Sequence, residues 1–211
     1  MPATVLPARQ ERSRRSLERL LRAAVEVLDE HGLDGATIPR IAKQAGLTPG
    51  AIYRRFPDKD ALLREVCLRA LEGNYRYARD LLVPEQWKNK SLQEMLECLI
   101  GMTLHGHTHH RGLLRAITFF TLEHPDPAFV RKSEELQVQV FRTATELLLT
   151  RRSEIRHPDP DRAVPFALMM VGVAARGVLV LPRVSRLVED AEAKLLLELP
   201  TMVLRYLGIA T

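Results

Sequence analysis

The feature that most constrains the fold of this chain is a helical spacing of apolar residues that recurs along the whole sequence. The first example is the series Leu17, Leu20, Leu21, Ala24, Val25 and Leu28. Steps of three and four residues place such a series on one face of an α-helix. No segment alternates apolar and polar residues between hairpin turns, and no repeat of fixed period is present. The sequence therefore predicts an all-α protein of about nine helices.

Residues that begin and end helices divide the chain. Ser13 or Ser16 is suited to begin the first helix, and Gly32 to end it. Leu181-Pro182 is expected to end a very apolar helix, and Pro200 to kink or break the last one. The other predicted helices begin near Asp58, after Ser91, near Arg111, after Asp126, after the 157–161 loop and near Glu189.

The segment from Thr37 to Phe56, TIPRIAKQAGLTPGAIYRRF, has the spacing of two short helices joined by a tight turn. Thr37 and Thr48 are suited to cap the two helices, and a proline follows each cap within the first turn. Gly46 suits the turn between them. This pattern is typical of a helix-turn-helix, whose second helix enters the DNA major groove by its N-terminal end. The alternative is a corner of the same shape inside an ordinary helical bundle.

Composition limits the class of protein. Hydrophobic residues make up 46% and charged residues 27% of the 211 residues, as in globular proteins that bury a core without disulfide or metal support. The N-terminus lacks the apolar segment of a signal peptide. The uncharged stretch 163–175 is shorter than the about 20 residues that a membrane span needs. We therefore expect a soluble, cytoplasmic protein that does not contact a membrane.

The positive charge is concentrated at the N-terminus. The chain has 31 basic and 26 acidic residues, and residues 1–22 hold six arginines against two glutamates. A basic arm at a chain end is suited to bind a polyanion. Arg12, Arg14 and Arg15 precede the predicted first helix and are expected to follow the DNA backbone or enter the minor groove. The alternative is a solvated tail without a partner.

Residues 13–63 resemble the TetR-like (TetR/AcrR) family of bacterial transcriptional regulators. The residues that carry the resemblance are Leu21, Ala23, Ala24, Leu28, Gly32, Thr37, Ile41, Ala42, Ala45, Gly46, Gly50, Tyr53, Phe56, Lys59 and Leu62. The resemblance implies a DNA-binding domain with a basic arm at 1–60 and a helical domain at 61–211. That second domain is expected to enclose a small-molecule pocket. The resemblance also implies a homodimer that binds a palindromic operator in double-stranded DNA, usually as a repressor.

The resemblance also implies which residues contact DNA. Those expected at phosphates are Thr37, Arg40, Thr48, Tyr53 and Lys59, and those expected nearest the bases are Pro49, Gly50 and Arg54. Pro39 departs from the family pattern and is expected to alter the phosphate contact beside Thr37.

The second half of the chain is expected to hold the dimer contact and the effector. The apolar segment 163–180 and the last helix are expected to pair with their copies in a four-helix interface; the alternative is packing within one chain. Large or polar side chains at helical positions are candidates to bind a small-molecule effector. These candidates are His105, Phe119, Glu123, Phe141 and Met170.

Histidines and cysteines raise the question of metal binding. His105 and His109 have the i, i+4 spacing of metal ligands in a helix, but the stretch 105–110 is interpreted as a frayed helix end. A metal-sensing site and a pocket wall are the alternatives. Cys67 and Cys98 are expected to be buried free thiols, with a regulatory disulfide as the alternative. We predict no metal and no cofactor.

These observations predict a ligand-responsive, DNA-binding transcriptional regulator. The alternative is a constitutive or activating DNA-binding protein without an effector. An enzyme is not expected, because the sequence has no GxSxG, P-loop or Rossmann glycine motif.

Overall fold

The computed structural model describes residues 8–181 and 186–209, with side chains from residue 11 onward, and the regular structure in these ranges is entirely helical. The α-helices are α1 (Ala8–Gly35), α2 (Ile38–Ala45), α3 (Pro49–Tyr53), α4 (Lys59–Leu81), α5 (Leu92–His109), α6 (Arg111–Thr118), α7 (Pro127–Leu149), α8 (Pro160–Ala175) and α9 (Ala191–Leu207). A π-helical turn at Phe119–Glu123 extends α6, and another at Arg176–Val180 extends α8. The prediction of an all-α protein with about nine helices is confirmed.

The side chains expected at the starts of α4, α5, α7 and α8 cap these helices. The oxygen of Asp58 accepts a hydrogen bond from the N–H of Ala61 at 2.7 Å, which begins α4. Ser91 and Glu94 form a reciprocal capping box at the start of α5. Asp126 and Asp159 cap α7 and α8 in the same way. Each cap satisfies an N–H group that the helix itself leaves unpaired.

The start of α1 differs from the prediction. The helix begins at Ala8, before Ser13 and Ser16, so the basic arm from Ala8 onward is helical. Glutamate and arginine are good helix formers, and Arg14 pairs with Glu18 across one turn at 3.6 Å. Residues 1–7 lie outside the described residues.

Two helix ends are predicted at prolines in the second half of the chain. The expected break at Pro200 is wrong, because α9 continues through this residue to Leu207. The very apolar helix does end at Val180, one residue before Leu181. Pro182, expected to end it, lies outside the described residues.

Two hydrophobic cores organise the molecule. The N-terminal core joins α1 to α3 with the first half of α4, and it also includes Leu113, Ala116, Ile117 and Phe120 from α6 and its extension. The C-terminal core joins the end of α4 with α5, α7, α8 and α9. The boundary predicted at residue 60 stays a prediction, and packing is continuous across it because α4 and α6 contribute to the N-terminal core.

The two cysteines belong to different cores. Cys67 is buried in the N-terminal core, and Cys98 is half-buried beside the C-terminal core; both are free thiols. The expectation of a buried free thiol is confirmed for Cys67, whereas Cys98 is free but only half-buried, and the two cysteines do not form a disulfide.

The segment Pro160–Val180 is long and apolar enough to cross a membrane by length and composition, with a mean hydropathy of 2.0. This corrects the expectation that no segment is long enough. Its buried face contributes Ala163, Val164, Ala167 and Val171 to the C-terminal core. Its other face exposes Phe166, Met169 and Val173.

Candidate nucleic-acid interface

The turn between α2 and α3 is built by one glycine and two capping threonines. Gly46 has φ 62° and ψ 40°, a left-handed conformation that side chains other than glycine rarely adopt. It reverses the chain so that the N–H of Leu47 donates to the carbonyl of Ala42 at 2.9 Å. Ile41, Ala42 and Ile52 are buried beneath the turn. This confirms the helix-turn-helix geometry expected from the sequence.

The N-terminal tip of α3 lies on the surface. The Oγ1 atom of Thr48 accepts a hydrogen bond from the N–H of Ala51 at 3.2 Å, which fixes the first turn. Pro49 and Gly50 are exposed at this tip, and a Cβ added to Gly50 would meet no atom within 4 Å. A helix N-terminus with free N–H groups and little side-chain bulk can approach a phosphate closely.

The expected DNA-contact residues share this surface. All are exposed except Lys59, which is half-buried; the exposed ones are Thr37, Arg40, Thr48, Pro49, Gly50, Tyr53 and Arg54. The phenol of Tyr53 is 55% exposed, although most large apolar and aromatic side chains of this domain are buried. The Oγ1 atom of Thr37 accepts from the N–H of Arg40 at 3.4 Å, so Pro39 is accommodated in the first turn of α2. Their contacts with DNA remain predictions.

The side chains of two of the basic residues donate hydrogen bonds within the protein. The guanidinium of Arg40 donates to the carbonyl of Gly35, and Nζ of Lys59 donates to the carbonyl of Leu33 at 3.4 Å. Both carbonyls lie at the C-terminal end of α1, where free carbonyls attract cations.

Arg55 joins the helix-turn-helix to the basic part of α1. Its guanidinium donates to the carbonyl of Ser13 at 3.1 Å and to the Ser13 hydroxyl at 3.0 Å. No sequence signal predicts this contact, because the two residues are 42 positions apart. The contact holds the exposed residues Arg12 and Arg14 on the same body as α3.

The DNA-binding segment is also attached to the second half of the chain through α1 and α6. The carboxylate of Asp29 accepts from the N–H of Leu113 at 3.1 Å and from Nδ1 of His110 at 2.9 Å. Thus a residue of α1 caps α6, which has no capping side chain of its own. Gly112 is buried here, and a Cβ on it would lie 1.8 Å from the carbonyl oxygen of Leu28. We call this contact of Asp29, His110, Gly112 and Leu113 the α1–α6 junction.

His105, His107 and His109 belong to regular helix rather than a frayed end, since α5 extends to His109, and His110 is the residue between α5 and α6. The rings of His105 and His109 stack at 3.8 Å on the exposed side. His107 is half-buried, its Nδ1 donates to the carbonyl of Thr103 at 2.7 Å, and burial lowers its pKa. Among the residues that the structure describes, no group of three or more potential metal ligands occurs.

The residues predicted to bind an effector lie on separate elements: His105 on α5, Phe119 and Glu123 on the turn after α6, Phe141 on α7 and Met170 on α8. His105, Glu123 and Phe141 are exposed. Phe119 packs against Phe120 and His124 beside the N-terminal core. The structure does not bring these side chains into one pocket, and their binding role stays a prediction.

An apolar stripe runs along the outer faces of α8 and α9. On α8 it consists of Phe166, Met169 and Val173, spaced by three and four residues. On α9 the exposed apolar residues are Leu196, Leu197, Met202 and Tyr206, and the stripe includes Met202 and Tyr206, which share a face at a spacing of four residues. The rings of Phe166 and Tyr206 lie 5.8 Å apart, so the two helices form one continuous surface. Exposed apolar patches of this kind mark protein–protein contacts.

Comparison with known sequences finds similarity to bacterial transcriptional regulators. Residues 20–66 match the family model of the bacterial regulatory proteins of the tetR family. Over 152 residues the chain is 24% identical to the HTH-type transcriptional regulator UidR of Escherichia coli strain K12, covering 72% of this chain and 74% of UidR.

Solved structures show the same fold. A TetR-family transcriptional regulator from Mesorhizobium loti MAFF303099 superposes with a TM-score of 0.68 at 20% identity, over 93% of this chain and 97% of that one. The regulator FadR from Bacillus subtilis, solved with stearoyl-CoA, superposes with a TM-score of 0.59 at 20% identity, over 92% and 99% of the two chains.

Proposed function

The chain belongs to the TetR-like regulators by its helix-turn-helix segment and its fold, and on this premise we propose how it acts. It is a ligand-responsive repressor of the bacterial cytoplasm. It binds a palindromic operator as a homodimer and leaves the DNA when a small molecule binds its helical domain.

The exposed tip of α3 is the observation that carries the proposal. Thr48 and Gly50 carry backbone N–H groups at this tip, Pro49 between them adds little side-chain bulk, and Tyr53 and Arg54 flank them on the surface. Such a tip fits the major groove, where an arginine reads guanine and hydroxyl groups bond phosphates. The core beneath α3 keeps these groups in fixed positions.

The apolar stripe of α8 and α9 supports a homodimer. Its residues stay exposed in a single chain, although large apolar side chains in the rest of the molecule are mostly buried. A two-fold contact buries the same stripe on both chains and makes a four-helix interface. A homodimer also carries two α3 helices, one for each half-site of an operator.

The α1–α6 junction supports control by a ligand. Asp29 and Gly112 dock α6 directly on α1, and α4 contributes to both cores. A ligand that shifts α4 or α6 therefore shifts the helix-turn-helix as well. A change of a few ångströms prevents both α3 helices from reaching their half-sites, with a coupling of about 1–3 kcal/mol. FadR of Bacillus subtilis, of similar fold, was solved with stearoyl-CoA, which supports a small-molecule effector.

Selection from a randomised duplex pool tests the proposal. The purified full chain is incubated with the pool, the retained DNA is sequenced, and binding is repeated across a salt series. We expect one enriched palindrome whose affinity falls steeply with salt, because binding releases counterions from phosphates. Retention without an enriched sequence contradicts a specific regulator. An enriched sequence that no ligand releases favours the constitutive alternative.

A further inference from the structure

A polar group lies where α5, α7 and the π-helical turn after α8 meet. Arg176, the first residue of that turn, donates a hydrogen bond from Nη2 to Oε1 of Gln137 on α7, with a separation of 3.4 Å. His107 approaches from α5, which also packs against the turn. All three side chains are half-buried, and the proposed DNA interface uses none of them.

The charge of Arg176 is poorly compensated. Within 11–181 and 186–209, where side chains are described, no carboxylate lies within ion-pair distance of its guanidinium. The carbonyl oxygen of Gln137 is a neutral acceptor, and 3.4 Å is beyond the usual length of an N–H···O hydrogen bond. A partly buried guanidinium is favourable only when an anion or several strong acceptors surround it. One negatively charged ligand would therefore neutralise the charge of Arg176.

His107 adds a second polar group of defined orientation. A carbonyl can only accept a hydrogen bond, so Nδ1 of His107 carries a proton toward Thr103 and Nε2 is left available. Burial and the positive charge of Arg176 both lower the pKa of His107, against the hydrogen bond to Thr103, which raises it, so the neutral form of the ring is favoured. On the same three elements, Leu104 belongs to the apolar C-terminal core, and Val140 and Val178 pack against that core.

We propose that Arg176, positioned by Gln137 and flanked by His107, binds the carboxylate of an organic acid whose remainder is apolar. This inference rests on the proposed function, since it names the class of effector. A planar guanidinium matches a carboxylate through two parallel hydrogen bonds, which makes this pairing strong and specific. The apolar remainder of the ligand lies against the C-terminal core.

The test follows the ring of His107 by NMR in the full chain labelled with ¹³C in its histidines. The signal is assigned by its loss in His107→Gln. The probes are benzoate and hexanoate, each compared at the same pH with its neutral amide, benzamide or hexanamide. We expect both carboxylates to shift the His107 signal saturably and the amides to leave it in place.

Two variants define the role of Arg176. Arg176→Gln removes the charge but keeps a polar side chain, and we expect about 10- to 100-fold weaker carboxylate binding. Arg142→Gln is the matched control, because Arg142 lies on the exposed side of α7 and pairs with Glu146. It should bind as the wild type does. Melting temperatures establish that both variants fold.

Several results would overturn the proposal. These are a His107 signal that no carboxylate moves, an equal response to amides, and an Arg176→Gln variant that binds like the wild type. An equal response to inorganic phosphate would indicate a general anion site and would also overturn it. No DNA is present, so this result is separate from the selection experiment, and each can fail while the other succeeds.

Discussion

At the scale of single residues, exposure distinguishes side chains that stabilise the fold from those available to a partner. Tyr53 and Tyr77 are both tyrosines of helices, 55% and 57% exposed. Only Tyr53 lies next to the tip of α3, so only its hydroxyl is expected to donate to a phosphate.

Tyr53→Phe removes that hydroxyl and should weaken operator binding about tenfold, the scale of one hydrogen bond to a charged group. Fluorescence anisotropy with the selected operator measures the effect, and size-exclusion chromatography should show an unchanged dimer. Tyr77→Phe is the control and should bind normally. Equal affinities for both variants would remove Tyr53 from the contact surface.

Cys67 and Cys98 should differ sharply in reactivity. Burial raises the pKa of the Cys67 thiol to about 12, whereas Cys98 is half-buried. A disulfide reagent at pH 8 should therefore modify Cys98 first and Cys67 only on unfolding, since the thiolate is the reactive form. Mass spectrometry of the wild type and Cys98→Ser reports the rates, and rapid labelling of native Cys98→Ser would contradict the burial of Cys67.

The same pKa predicts how stability depends on pH. The folded chain holds the Cys67 proton more tightly than the unfolded chain, whose thiol has a pKa near 9.0. This contribution to stability is complete below that value and is lost progressively as the pH rises toward about 12. Comparing the urea midpoints of wild type and Cys67→Ala between pH 7 and 10 should show a steeper loss in the wild type. Parallel curves would contradict the prediction.

At the scale of helices, the α1–α6 junction depends on the close approach of two backbones. Gly112 makes this possible, because a Cβ would lie 1.8 Å from the carbonyl oxygen of Leu28. The glycine is therefore required by its neighbour and not by its own backbone angles.

Gly112→Ala should lower the free energy of unfolding by about 1–3 kcal/mol, since α6 must shift from α1. It should also alter operator affinity, because the shift reaches the helix-turn-helix. Gly101→Ala on α5 is the control: a Cβ there meets no atom within 4 Å, and alanine should be neutral or stabilise by up to about 1 kcal/mol. Urea unfolding at matched concentration distinguishes the two. Equal stabilities would contradict the close approach.

The helices differ in how far the sequence alone predicts them. Caps such as Asp58 and Ser91 and the turn at Gly46 are local, because each depends on residues a few positions apart. The role of Gly112 is not local, since the clash arises with Leu28 far away in the sequence. For the same reason, the sequence gives no signal for the proposed role of Arg176, whose surroundings depend on how α5, α7 and the turn after α8 pack, and the ligand contacts expected at His105 and Phe141 stay predictions.

At the scale of the whole molecule, the proposed dimer depends on one surface, the apolar stripe of α8 and α9. Val173 in the apolar stripe and Val138 on α7 are 58% and 62% exposed. Only Val173 lies on the face proposed to pair with a second copy.

Val173→Asp should yield a monomer with a nearly unchanged melting temperature at low protein concentration, because it places a charge in the interface. Val138→Asp should remain dimeric. Light scattering coupled to size-exclusion chromatography measures both masses. A dimeric Val173→Asp, or a monomeric Val138→Asp, would place the interface elsewhere.

In the proposed homodimer, two α3 helices are held at a fixed distance and bind the two half-sites together. The most direct measurement compares affinity for the selected palindrome with affinity for the same palindrome carrying five extra base pairs between its half-sites. Five base pairs turn one half-site to about the opposite side of the duplex. If the dimer holds its two α3 helices at a fixed distance, the affinity for the lengthened duplex should fall to that of a single half-site. Equal affinity for both duplexes would contradict it, because each chain would then bind DNA independently.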